Sequence, residues 1–191
     1  SRVINNNGYV REETRRRVEA AIDELHYIPN ALGPSLRSKR TLTLALVVSD
    51  ITNPFWTTVA RGVEDTANKH GYHIIIGNTD ESPHKQEEYL TFLMKKQVDG
   101  FLVVPVSSRS LDTLQKRRVP FVVIDRHISD KLIDSVRCDS VTGAYELTRH
   151  LLALGHRHIA IITGPQYLST ASERVTGFLR ALEEANGNVT P

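Results

Sequence analysis

From residue 42 onward, short apolar runs alternate with longer stretches in which apolar residues recur every three or four positions. The runs are "LTLALVVSD" (42–50), "YHIIIGNTD" (72–80), "GFLVVPV" (100–106), "PFVVIDR" (120–126) and "HIAIITG" (158–164). Between them, Trp56, Val59, Ala60, Val63 and Ala67 share one helical face. Tyr89, Leu90, Leu93 and Met94 share another, Leu147, Leu151 and Leu154 a third, and Val175, Phe178, Leu179 and Leu182 a fourth. Strands that are apolar throughout and alternate with amphipathic helices predict a parallel sheet covered on both faces. The expected class is α/β, doubly wound.

Residues 1–41 follow a different pattern. "SRVINNNG" reads as the end of a helix stopped between Asn5 and Gly8. A second helix is expected from about Glu12 to His26, with Val18, Ala21, Ile22 and Leu25 on one face. Arg11 stands where a capping Ser or Asp would be expected. The linker "IPNALGPSLRSKRT" (28–41) then places Leu32 and Leu36 on one helical turn among Arg37, Lys39 and Arg40. Such a turn is too short to stand alone and would fold against another surface. Its basic neighbours make that surface a polyanion.

Charge sharpens this picture. The 191-residue chain carries a net charge of only +2, with 40% hydrophobic and 24% charged residues, as in an ordinary soluble protein. Residues 1–40 nevertheless hold eight Lys/Arg against five Asp/Glu, and most of the excess lies in the linker. A single cysteine, Cys138, excludes an internal disulfide. No apolar run approaches the ~20 residues of a membrane span, so no membrane partner is expected. Both ends read as cut, with Ser1 already in a helical pattern and "ANGNVTP" leading onward.

Ligands of open α/β sheets bind beyond the carboxyl ends of the strands. Those ends carry Asp50 with "ITNPFW", Asn78-Thr79-Asp80, Pro105 to Ser108, Asp125-Arg126 and Thr163-Gly164. This lip is polar, with Phe55 and Trp56 as flat apolar partners, and suits a hydroxyl-rich ligand. No phosphate-binding G-x-x-x-x-G-K-[ST] loop, dinucleotide fingerprint or G-x-S-x-G elbow follows a strand. His156-Arg157-His158 lacks partners at metal-ligand spacing. No cofactor, metal site or catalytic constellation is expected, and the chain does not read as an enzyme.

The stretches "SRVINN-GYV-EETR", "AI-ELHYIPNAL--SLR", "D-TNPFW", "RGVED-A---GY", "NTDE", "VDG", "HLLALGHRHIAIITGP" and "S-AS-R--GF--AL" run in order along nearly the whole chain. On these residues the chain resembles bacterial transcription regulators of the lac repressor and gal repressor family. The resemblance implies the end of a helix-turn-helix head (residues 1–27), a hinge helix (28–40), a first effector-binding lobe (41–138) and the start of a second, incomplete lobe (139–191). The implied core is similar to periplasmic sugar-binding proteins.

By position, the resemblance places Arg2 on base edges of the major groove and Asn5, Tyr27 and Asn30 on phosphates. Leu36 would wedge into the minor groove beside Arg37, paired with its twin across a homodimer. Phe55, Trp56, Asp125, Thr170 and Arg174 match effector-contacting positions. The sequence departs from the family at Gly33-Pro34, where two helix-compatible residues usually stand. The implied protein is a cytoplasmic, dimeric repressor of operator DNA controlled by a small-molecule effector, a sugar or sugar derivative. A periplasmic solute-binding receptor for sugars is the alternative.

Overall fold

The computed structural model describes residues 2–4, 8–27, 40–128 and 133–185. The chain divides into two units, residues 1–41 and 42–191. In the first, residues 2–4 form a turn and α1 spans Glu12–Glu24. Glu12 and Glu13 occupy its first turn, where the helix dipole favours acids, and Arg11 makes no side-chain cap. Val18, Ala21, Ile22, Leu25 and Tyr27 line an open groove of about 420 Å³.

The second unit is built on one parallel sheet. Its elements follow as β1 (Thr43–Val48), α2 (Pro54–Lys69), β2 (His73–Asn78), α3 (Pro83–Lys95), β3 (Gly100–Val103), α4 (Ser108–Lys116), β4 (Phe121–Ile124), β5 (Ser135–Val136), α5 (Ser140–Ala153) and α6 (Ser169–Ala185). The strand order is β2-β1-β3-β4-β5, with Val47 facing Gly77 on one side and Val103 on the other. The sheet is therefore wound in both directions from the β1/β3 junction, as expected for the class.

Alternate residues of the strands feed two separate cores. Ala45, Val47, Phe101, Val103 and Val123 pack with Leu90 and Leu93 of α3 and Leu111 and Leu114 of α4. Leu46, Val48 and Ile124 pack on the other face with Trp56 of α2. Side chains such as Leu46, Leu93 and Leu114 are fully buried, each worth about 1.5–3 kcal/mol relative to exposure.

The helix starts explain why the loops at the carboxyl edge are polar. Asn53, Ser82, Ser107 and Asp139 cap α2, α3, α4 and α5, each side chain accepting from a first-turn N–H. Pro54 and Pro83 follow two of these caps at the first helical position.

Two expectations need revision. The run at 158–164 is not a strand: residues 156–165 carry no helix or strand, and Ile162 is fully exposed (101%). A strand is stable only when a neighbour satisfies its backbone groups, and none of the described strands pairs with this run. Conversely, α4 and β5 were not anticipated. They span only nine and two residues, too few for a clear period.

Candidate functional site

All five strands point the same way, so their carboxyl ends form one edge. After β1, Asp50 accepts from the N–H and hydroxyl of Thr52 at 2.9 and 2.7 Å. The Ile51 N–H donates to Asn78 Oδ1 at 3.0 Å, tying this loop to the end of β2. Asn78 and Lys85 both donate to Asp80. The Lys85 ammonium, followed by the Asn78 amide, holds the Asp80 carboxyl below its ordinary range.

The centre of the edge is a buried polar network. Gln86 of α3 is fully buried; its Nε2 donates to Val104 O at 3.0 Å. Its Oε1 accepts from Val106 N at 3.2 Å, Ser107 N at 3.1 Å and Ser110 Oγ at 2.7 Å. One side chain thus fixes the loop from β3 to α4 by satisfying backbone groups that burial would otherwise leave unpaired. Arg126, after β4, is also buried. It makes a two-pronged pair with Glu81 and donates from Nη1 to Pro105 O at 3.0 Å. Together Glu81, Gln86 and Arg126 lock the ends of β2, β3 and β4 to one another.

Three non-glycine residues at this edge adopt the left-handed conformation: Asp80 (φ 49°), Glu81 (φ 56°) and Asp125 (φ 67°). Such strain persists where surrounding contacts fix it, often at binding sites. Burial pushes the Asp125 carboxyl above its ordinary range, with Arg126 and then Arg174 pulling in the opposite direction.

On the far side, α6 meets this edge. His127 N–H donates to Ser169 Oγ at 3.0 Å, and Arg137 Nη1 donates to Glu173 Oε1 at 3.1 Å. A polar cavity of about 430 Å³ opens there, lined by Ser107, Ser108, Arg126, His127, Ser169 and Ser172 among others. A second cavity of about 500 Å³ lies between α5 and α6 and is lined by Cys138, Leu147, Thr163, Gly164, Arg174 and Phe178 among others.

The structure distributes the residues expected to meet the effector. Phe55 stands on the lip, 44% exposed, edge-on to Trp56 with ring centroids 4.8 Å apart. Trp56 itself is inside the core, at 4% exposure. Thr170 is buried in the first turn of α6, and Arg174 one turn later is exposed and faces the second cavity. Asp125 and Arg174 are close enough to influence each other electrostatically. Of the residues expected on DNA, Arg2 and Tyr27 are exposed, while Asn5, Asn30, Leu36 and Arg37 lie outside the described residues.

Sequence reasoning placed Arg126 on the lip but missed its buried pairing with Glu81, and it missed Gln86, Ser169 and the Arg137–Glu173 pair. A signal was present for one of them. Arg126 directly follows a fully apolar strand, where a cation is retained inside only with a partner.

Comparison with known proteins places the chain. Residues 41–188 match the family described as periplasmic binding proteins and sugar binding domain of LacI family. Residues 1–30 match bacterial regulatory proteins of the lacI family. The HTH-type transcriptional regulator DegA of Bacillus subtilis (strain 168) is 36% identical over 97% of this chain and 56% of its own length. The HTH-type transcriptional repressor PurR of Aliivibrio fischeri (strain MJ11) is 39% identical over 100% of this chain and 58% of its own.

Among solved structures, the transcriptional regulator CelR–cellobiose complex aligns with a TM-score of 0.70 at 31% identity, covering 97% of this chain and 57% of that one. The Cra regulator of Pseudomonas putida with fructose 1-phosphate aligns with a TM-score of 0.71 at 27% identity, covering 75% and 54%. The chain thus spans little more than half the length of these relatives. It belongs to the LacI family of bacterial regulatory proteins.

Proposed function

We propose that the whole protein is a DNA-binding transcriptional regulator, acting as a repressor, whose operator affinity is set by a small molecule. It works in the cytoplasm as a homodimer and is a sensor rather than an enzyme. The observation that carries this reading is the order of two matches in one chain: a lacI-type regulatory segment at residues 1–30, followed by an effector-type core at 41–188.

A sugar or sugar derivative is the proposed effector. Its support is the polar carboxyl edge with Phe55 exposed on it, together with relatives solved with cellobiose and with fructose 1-phosphate. Asp125, Thr170 and Arg174 are the proposed polar contacts from the two sides of the cleft. Arg174 presents a planar fork able to grip a pair of oxygens. Effector binding would favour one arrangement of the core over another and so bias the hinges and heads on DNA.

On the DNA side, Arg2 is the proposed base-reading residue, with Asn5, Tyr27, Asn30 and Arg37 on the backbone and Leu36 as the wedge. The test is selection of duplexes from a random pool by the full-length protein. The expected result is enrichment of an approximately two-fold symmetric site, bound with an affinity that falls steeply with salt. Failure to enrich any sequence over the starting pool would overturn the reading.

A further inference from the structure

The start of α6 is attached to the sheet edge at two points. Ser169 Oγ accepts from the His127 backbone N–H at 3.0 Å, just beyond β4. Glu173 accepts from Arg137 at 3.1 Å, just beyond β5. Ser169 and Glu173 are four residues apart on α6, so they lie one turn apart on a single face. Thr170 and Arg174 occupy the next position along in each turn. The attaching stripe and the proposed effector stripe therefore run side by side on one rigid helix.

The ion pair is partly shielded, with side-chain exposures of 34% for Arg137 and 25% for Glu173. Among the described residues, Asp139 lines the same cleft as Arg137 and Glu173, and Asp125 senses both Glu173 and Arg174. A half-shielded pair of this kind contributes modestly by itself. Its effect here is geometric. Once one turn of a helix is fixed at one end, the other contact forms at little further cost in freedom, so the two reinforce each other.

We infer that Ser169, Glu173 and Arg137 are positioning residues that act as one two-point clasp, setting the first two turns of α6 so that Thr170 and Arg174 are in place before an effector arrives. This rests on the effector reading above for its purpose, not for its geometry. Prior ordering of a contact surface lowers the entropic cost of binding, which is the advantage a clasp gives to a sensor of small, polar ligands.

The test needs no effector. Hydrogen exchange of the His127 amide is followed by NMR in the full 191-residue chain. Arg137→Gln and Glu173→Gln each remove the ion pair without altering Ser169 or His127. In each, exchange at His127 should speed about tenfold while the amides of β1 and β3 keep their rates. The reversed pair, Arg137→Glu with Glu173→Arg, should restore the slow rate.

Unchanged exchange at His127 in both single variants would overturn the clasp, because the two contacts would then be independent. So would faster exchange that spreads equally to β1, or that the reversed pair fails to recover. Failure of the effector reading would show itself separately, as no saturable binding of any sugar to the full-length protein.

Discussion

Asp125 combines two unfavourable features, a left-handed backbone (φ 67°) and a carboxyl raised by burial. The sign of its pH effect follows. In the unfolded chain it ionises near the ordinary value of 3.8, and in the folded chain at a higher pH. Between the two values the folded state holds more protons, so this residue's contribution to stability improves as pH falls through that window. Above it, the full cost of burying the charge remains. Asn keeps the shape, tolerates positive φ and carries no charge. Asp125→Asn should therefore be more stable than the parent at neutral pH, with the difference shrinking as pH approaches the ordinary carboxylate value. Urea unfolding at both pH values reads this out, and a less stable variant at neutral pH would mean that Arg126 and Arg174 outweigh the desolvation. Asp125 was found in the sequence because it ends an apolar run. Gln86 was not, because nothing in "PHKQEEYL" distinguishes a solvated glutamine from one that fixes a buried loop. Its role arises from backbone groups of residues 104–107, which are distant in sequence.

At the scale of elements, α5 and α6 pack most tightly at Gly177. A Cβ there would lie 2.1 Å from Val141 O and 2.9 Å from Tyr145 N, both backbone atoms that cannot rotate away. Gly177→Ala should destabilise by at least the ~1–3 kcal/mol typical of overpacking. Gly143→Ala on α5 is the matching control, since nothing lies within 4 Å of its Cβ; it should gain up to about 1 kcal/mol of helix propensity. Thermal unfolding of the two variants gives the comparison, and equal midpoints would refute the close approach. Elements with a long, clean period were legible: the stripe from Trp56 to Ala67 correctly gave α2, and four of the five apolar runs gave four of the sheet's five strands. The same stripe also explains Trp56, whose helical phase points to the core that it occupies at 4% exposure. Where reading failed, pairing decided. The run at 158–164 has strand composition, yet composition does not supply a neighbour, and Ile161 and Ile162 stay exposed. The positions of Thr170 and Arg174 came from resemblance, whereas the clasp beside them depends on β4 and β5 ends that no local pattern brings near α6.

For the whole molecule, the segment between the regulatory match at 1–30 and the core match at 41–188 would have to transmit effector binding to DNA. Gly33 and Pro34 fall within it and lie outside the described residues. If Asn30 caps a hinge helix, Pro34 is its fourth helical residue. Proline lacks the N–H that would close the first intrahelical bond, and Gly33 adds about 0.5–1 kcal/mol of backbone entropy relative to alanine. A hinge that folds only on DNA is held by a small balance, because the energy of ordering it is drawn from the binding itself. The double substitution Gly33→Ala with Pro34→Arg, made in the full-length protein, should therefore raise operator affinity. Part of the gain would come from the added cation, and that part weakens as salt rises. The hinge contribution should persist when affinities are compared by fluorescence anisotropy across a salt series. Gly33→Ala with Pro34→Ala, which adds no charge, isolates it: a gain in this variant assigns the effect to helix formation. No gain at any salt concentration would mean that residues 30–37 do not form a helix on the operator, and Leu36 would lose its role as the wedge.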